Sequence, residues 1–333
     1  MKIFIISSEK HNKFGISKVI EQLKKRFKRY HEVEYSNNYF KFIFSKPDIL
    51  HIHGCWKIRL ILFFLIAKVL GVKIIISPHG MIDQNSLNQK KMKKKIALIF
   101  YQKTIFKNSD LVIVNSKIEK KNFIKQIPGI KKIIIIHHGI DIDKNFYPKQ
   151  NLDKNLKFVF FSKIHKSKNL ITLVKLWQKS IFLKKFNLKI FGEIDDKIYF
   201  SKINELILKS KNIEYSGTLD KRIQKKLSTF DVFIHPSKSE NFGLVIYEAL
   251  SSGLFLILNK KLKKKTLKEK SFAINIDFNL RSLDDSIRKI LHNKEKIKSL
   301  DYKIKCLDYI KNNFNWETIS KYYLNEYSTV IKN

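Results

Sequence analysis

Cysteine is almost absent: Cys55 and Cys306 are the only two in 333 residues, and neither stands in a CxxC or CxxH spacing. That excludes a disulfide framework and a structural zinc site, and it fits a reducing compartment. Long hydrophobic runs are missing as well. The longest, Leu60 to Leu70, has eleven residues and carries Lys68, whereas a membrane-spanning helix needs about 20 apolar residues. The opening MKIFIISSEK is an apolar run of strand length with no cleavage-site pattern behind it, so no signal peptide is expected and the protein should be soluble or peripherally bound. Acidic residues are scarce too, at 29 against 67 Lys and Arg, which leaves a formal charge of +38.

A charge of that size raises nucleic acid, an anionic membrane surface and a phosphorylated substrate as partners. Its distribution argues against a dedicated basic domain: residues 1–150 hold 30 basic and 10 acidic residues, and residues 151–333 hold 37 and 19. An even excess of Lys beside abundant Ile, Asn, Phe and Tyr is what codons rich in A and T produce. Two runs stand above it, Lys90–Lys95 and the seven lysines between Lys260 and Lys270. The first leads into Ile96-Ala97-Leu98-Ile99-Phe100, as an interfacial amphipathic helix would, although core packing is the favoured expectation for that segment.

The chain is 44% apolar and 13% aromatic, ample for two buried cores and incompatible with wholesale disorder. Strand-like runs recur at Ile3–Ile6, Ile49–Ile52, Val72–Ile76, Leu111–Val114 and Ile133–Ile136, then at Phe158–Phe161, Leu188–Phe191, Asn212–Tyr215, Val232–Ile234 and Phe255–Leu258. Most are continuous rather than alternating, the pattern of parallel strands buried on both faces. Helical spacing lies between them, as in Ile16, Val19, Ile20, Leu23 and Phe27. Alternating β and α predicts an α/β protein with parallel sheets wound on both faces. Ser116-Lys117-Ile118-Glu119 fits a capping box. The polar stretch Asp141–Asn155, with Pro148, is the expected interdomain linker.

The segment His235 to Gly253 carries most of the chemistry. It follows a strand, turns at Asn241-Phe242-Gly243-Leu244 and opens a helix. Such a turn points free amides outward, and with the positive end of the helix dipole it suits a diphosphate. Glu240 precedes the turn and can reach a ligand over it; Glu248 lies on the helix and can offer a carboxylate to vicinal hydroxyls such as those of ribose. The bland alternative is a helix with two solvated glutamates.

Pro236 to Gly253 closely resembles the P-S-x-x-E-x-F-G-L-x-x-x-E-A-x-x-x-G pattern of the retaining glycosyltransferases of family 4 (glycosyl transferases group 1). That resemblance implies a GT-B fold, two Rossmann-like domains with parallel sheets facing across a cleft. It implies that Glu240 lies near the donor sugar, that Glu248 holds the ribose hydroxyls, and that Asn241, Phe242, Gly243 and Leu244 contact sugar and phosphate. Phe161 to Asn169 resembles the strand-end loop that gives an Arg and a Lys, five residues apart, to the diphosphate; here the pair is Lys163 and Lys168. Two cations there would neutralise a leaving diphosphate without a metal. Pro47 to Gly54 and Ser77 to Asp83 resemble the P-D-x-x-H-x-H-G and P-H-G-M-x-D segments of a polysaccharide-assembling branch, which implies that His79 contacts the donor sugar. His51 and His53 alternate along one strand, but no third ligand follows at metal spacing, and no metal or other cofactor is expected.

Departures qualify the likeness, among them His137-His138-Gly139-Ile140-Asp141 for the usual P-N-G-x-D and Leu254-Phe255 for the usual Pro-Val after Gly253. The usual Gly-Gly pair of the N-terminal loop appears as Lys13-Phe14-Gly15, with Gly15 left to serve the donor; Arg becomes Lys163; and Asn259–Phe272, where relatives often carry a Gly-rich loop, is mostly lysine. The implied domains are 1–145, completed by a C-terminal helix over 317–333, and 155–316. The implied function is transfer of a hexosyl-type sugar, with retention, from a nucleotide diphosphate to a saccharide or lipid-linked acceptor in surface polysaccharide or lipopolysaccharide assembly. That work is placed in the cytoplasm, peripheral at the inner face of the membrane through Lys90–Lys95. Other GT-B activities (a phosphorylase or a sugar-nucleotide epimerase) and an inactive saccharide-binding relative are the alternatives, and nucleic-acid binding is the least favoured.

Overall fold

The computed structural model describes residues 1–8, 15–83, 86–87, 91–150, 152–219 and 223–332. The chain divides into two compact units, one of Met1–Gly139 with Trp316–Asn333 and the other of Ile140–Asn315.

Unit 1 contains β1 (Lys2–Ser7), β2 (Glu32–Tyr35), β3 (Ile49–His53), β4 (Lys73–Ser77), β5 (Leu111–Val114) and β6 (Ile133–Ile135), in the spatial order β2-β1-β3-β4-β5-β6. Every pairing is parallel. Side chains alternate across the sheet, and the two faces have separate cores. Phe4, Ile6, Leu50, Ile52, Ile74 and Ile76 pack under helices carrying Phe63, Phe64, Phe106 and Phe123, whereas Ile3, Ile5, Ile49 and Ile75 pack under Ile16–Phe27 and the final helix, Trp316–Lys332. The final helix sits close because residue 139 is glycine; a Cβ there would lie 2.3 Å from Trp316 Cδ2.

Unit 2 contains β7 (Phe158–Phe161), β8 (Leu188–Phe191), β9 (Ile213–Tyr215), β10 (Val232–His235), β11 (Phe255–Asn259) and β12 (Ala273–Ile276), ordered β12-β11-β10-β7-β8-β9 and again all parallel. In each sheet the chain works outward on one side and then crosses back to start the other. The strand order therefore reverses between β1 and β3 and between β7 and β10, and ligands of open α/β sheets bind beyond the carboxyl ends of strands at such points.

Several expectations change. The strands β2 and β12 have no counterpart in the sequence reading; both are four-residue sheet edges, and Glu32-Val33-Glu34-Tyr35 is never fully buried. The unit boundary lies at Gly139/Ile140, so the polar stretch from Asp141 is built into unit 2: Ile140 N–H donates to Phe314 O (2.8 Å) and Asp143 N–H to Gln224 Oε1 (2.8 Å). Core packing of residues 96–100 holds only for Leu98. The helix Lys91–Ala97 runs into a π-helical turn, Leu98–Gln102, which rotates Leu98 and Gln102 inward and leaves Ile96, Ile99 and Phe100 exposed. Lys90 lies outside the described residues.

Candidate active site

In unit 2 the loops that follow β7, β10 and β11 are sewn together at the switch point. Pro236 O accepts from Asn169 Nδ2 (3.4 Å) and from Asn259 Nδ2 (3.2 Å), while Ser237 Oγ donates to Ser167 O (3.3 Å) and Ser239 O (2.9 Å). Lys168 ends the 3-10 turn Lys166–Lys168, whose start His165 caps by accepting from Ser167 N–H. Asn169 follows in the left-handed conformation at φ 57°, which turns the chain into the helix Leu170–Lys179.

This arrangement delivers two donors to one oxygen of Glu240. Lys168 Nζ lies 2.6 Å and His235 Nε2 2.8 Å from Glu240 Oε1, and the carboxylate is only 9% exposed. Burial alone would raise its pKa, but the Lys168 charge and the His235 hydrogen bond outweigh burial and hold the carboxyl well below its ordinary range. His235 is buried between Phe160 and Phe233, and burial lowers its pKa despite Glu240. It is thus a neutral imidazole that donates from Nε2, and Nδ1 has no partner among the described residues.

The turn after Glu240 requires its glycine. Gly243 has φ 80° and caps the helix Leu244–Ser251, and a Cβ there would lie 3.0 Å from Ile246 Cδ1. Phe242 is buried, and Asn241 Oδ1 lacks a partner among the described residues. Glu248 lies half-buried on the same helix. Lys163 is not drawn into the cluster: its Nζ lies 3.7 Å from Asp195 Oδ1, both side chains being largely exposed. Lys264 enters instead. Among the seven lysines of the second run, the other six are exposed, while Lys264 Nζ donates to Phe242 O at 2.7 Å.

Unit 1 gathers imidazoles at the carboxyl ends of β3, β4 and β6. His53 Nδ1 meets His79 Nε2 at 2.8 Å, and the His79 ring stacks on His53 and on His138 at centroid distances of 5.1 and 5.3 Å. Beneath them His51 bonds Ser77 Oγ through Nε2 (2.9 Å) and the Tyr327 hydroxyl through Nδ1 (2.5 Å). His79 has φ 52°, and buried Glu119 clamps the turn by accepting from Gly80 N–H and from Asn115 N–H (2.6 Å). At the expected capping box Glu119 N–H donates to Ser116 Oγ (3.0 Å), and the Glu119 carboxylate accepts from Asn115 N–H, one residue before the cap, while its other oxygen reaches the His79 loop. Gly15, at φ 61°, opens the helix Ile16–Phe27, and Lys13 and Phe14 lie outside the described residues. Among the described residues no group of three or more His, Cys, Asp or Glu is placed to hold a metal ion.

His235, Lys264, Asn115, His138 and the clamping role of Glu119 emerge only from the fold. His235 stood inside the motif; Lys264 had only its place in a lysine run.

Comparison with known proteins gives this geometry its context. The family "Glycosyl transferases group 1" matches residues 141–305, and "Glycosyltransferase Family 4" matches residues 10–144. The chain belongs to the family 4, group 1 glycosyltransferases. An uncharacterised 41.2 kDa protein in the cps region of Klebsiella pneumoniae is 25% identical over 65% of the chain, and the match spans 61% of that protein's length. Among solved structures, sucrose-phosphate synthase from Thermosynechococcus elongatus aligns with a TM-score of 0.83 at 17% identity over all of both chains. Anabaena HepE in complex with UDP and glucose aligns at 0.78 and 14%, over 99% of this chain and all of HepE. These structures share the GT-B fold.

The imidazole cluster of this family 4 protein gives it a pH-dependent stability. Burial first, and the neighbouring imidazoles second, push His51, His53 and His79 well below 6.5, and His138 to about 3. The unfolded chain takes up protons near 6.5 and the folded one does not, so stability is full above that pH and is lost as the pH falls toward about 3. Each imidazole contributes a slope of about 1.4 kcal/mol per pH unit in that window. Denaturant unfolding between pH 7 and 5 should show a shallower slope for His138→Gln than for the native protein, and parallel slopes would contradict the assignment.

Proposed function

We propose that the protein transfers a sugar, with retention of configuration, from a nucleotide diphosphate to a saccharide or lipid-linked saccharide during surface polysaccharide assembly. The observation that carries this is the buried Glu240 with Lys168 and His235 on one oxygen, set beside the Gly243 turn at the β7/β10 switch point. The UDP and glucose of HepE support a nucleotide-sugar donor, and the cps location of the Klebsiella relative supports polysaccharide assembly.

On this proposal Lys168 shares its charge between Glu240 and the arriving diphosphate, and the amides of Asn241–Leu244, at the positive end of the helix Leu244–Ser251, take phosphate or sugar oxygens. Glu240 stays ionised and steadies positive charge developing on the sugar. Neutral His235 fixes its orientation from below. Glu248 takes the ribose hydroxyls, and Lys163 exchanges exposed Asp195 for phosphate. Lys163 and Lys168 do the neutralising, so no metal is required.

Incubation with UDP-, GDP- and ADP-sugars should release nucleoside diphosphate slowly, equally with and without a chelator. Glu240→Ala should lower that turnover by roughly 100-fold or more. If no nucleotide sugar binds, the proposal fails; if the chelator stops turnover, its metal-free form fails.

The unit 1 surface suits a membrane-held acceptor. Met92 and Phe100 are 71% and 77% exposed, flanked by exposed Ile96, Ile99, Lys93 and Lys95, and Leu62, Leu65 and Val69 are exposed on the helix Arg59–Val69, which covers the same face of the sheet. Apolar side chains ringed by ammonium groups fit an anionic lipid surface. Among the described residues no helix is long and apolar enough to cross a membrane. The protein should float with vesicles containing phosphatidylglycerol and not with pure phosphatidylcholine, and Ile99→Glu with Phe100→Glu should weaken binding roughly tenfold. Equal flotation of native and variant protein would contradict this surface.

A further inference from the structure

We propose that Lys264 is a positioning residue for the donor: it holds the Phe242 carbonyl and so aims the Gly243 N–H at an oxygen of the nucleotide sugar. This rests on the assignment of the Asn241–Leu244 turn to the donor. Lys264 Nζ donates to Phe242 O at 2.7 Å and to the Tyr247 hydroxyl at 3.2 Å, and it sits 5.6 and 4.9 Å from the centroids of the Phe242 and Tyr247 rings, which stack on one another at 4.7 Å. Two hydrogen bonds and two aromatic neighbours fix the ammonium where a solvated lysine would be free to rotate.

The consequence for the turn follows from peptide geometry. In a trans peptide the carbonyl and the next N–H point in opposite directions, and no peptide among the described residues is cis. Drawing the Phe242 oxygen toward Lys264 therefore directs the Gly243 N–H away from it. Without that anchor, glycine at φ 80° is free to let the peptide flip and present an oxygen where an anion must bind. The lysine is itself held: Lys263 turns the chain at φ 53°, Asn275 Nδ2 donates to Lys264 O (3.4 Å), and the helix Lys265–Glu269 begins directly afterwards.

Lys264 faces Glu240 from the loop after β10, His235 at the end of β10, Tyr247 on the helix Leu244–Ser251 and, through Tyr247, Tyr309 on the helix Leu300–Phe314. Burial lowers its pKa to about 8, against the opposing pull of Glu240. His235 is already neutral, and burial keeps the Tyr247 and Tyr309 hydroxyls protonated. As the pH rises through about 8, Lys264 is the group of this set that changes charge, and the Phe242 carbonyl loses its charged donor.

Calorimetric titration of the full chain with UDP, GDP and ADP at pH 7 and 9 tests this, using Lys264→Met, Lys264→Arg and Lys168→Met, with the thermal midpoint of each protein as a folding control. The best-bound diphosphate should bind Lys264→Met about tenfold more weakly at pH 7, in line with loss of one charged hydrogen bond. The native protein should bind several-fold more weakly at pH 9 than at pH 7, and Lys264→Arg should restore most of the affinity and abolish that loss. Native affinity and native pH dependence in Lys264→Met overturn the role of Lys264, and if Lys168→Met is then weak, the donor assignment survives. If Lys264→Met does not fold, an unchanged loss at pH 9 in Lys264→Arg overturns the proposal. Failure of the native protein to bind any of the three diphosphates removes the donor assignment and this inference together.

Discussion

Two donors converging on one carboxylate oxygen set the terms for unit 2. Glu240 is almost fully buried and ionised, a state that is costly unless a cation and a hydrogen-bond donor are both present. Lys168 comes from the loop after β7 and His235 from the end of β10, and these strands are adjacent only because the sheet reverses its order between them. Strand order is thus a requirement of the ion pair. Loss of Lys168 would leave an uncompensated buried charge, at a cost of about 3–5 kcal/mol.

Unit 1 solves the opposite problem. Its polar centre is made of neutral imidazoles, kept so by burial and by one another. Buried Glu119, on the helix Lys117–Gln126, accepts from the backbone amides of Gly80 and Asn115. A left-handed His79 needs such support, because a β-carbon in that conformation is strained. The result is an imidazole held in one place by the helix that follows the neighbouring strand β5, with its Nε2 committed to His53.

Much of this was legible before the structure. The interior strands announce themselves as runs such as Ile74-Ile75-Ile76 and Leu111-Val112-Ile113-Val114, because burial on both faces leaves nothing but apolar residues to read. The edges do not: Glu32–Tyr35 is half-exposed and too short for any period to show. The motif from Pro236 to Gly253 pointed to Glu240 and the Gly243 turn, since spacing along a turn and helix is local information. Lys264 was illegible, because nothing in Lys263-Lys264-Lys265 tells which ammonium turns inward; that is decided by the rings of Phe242 and Tyr247, some 20 residues away in sequence. Glu119 was half legible: its spacing from Ser116 announced the contacts at the helix start, while its tertiary contact with Gly80 left no local signal. At residues 96–100 the apolar run suggested core, and a π-helical turn exposed most of it.

The most direct test of the proposed donor site is hydrogen–deuterium exchange of the whole protein with and without a saturating nucleoside diphosphate. Slowed exchange in unit 2 should concentrate in residues 162–169 and 240–247, the loops that meet around Glu240. Binding that leaves both segments unchanged, with protection elsewhere, would contradict the account.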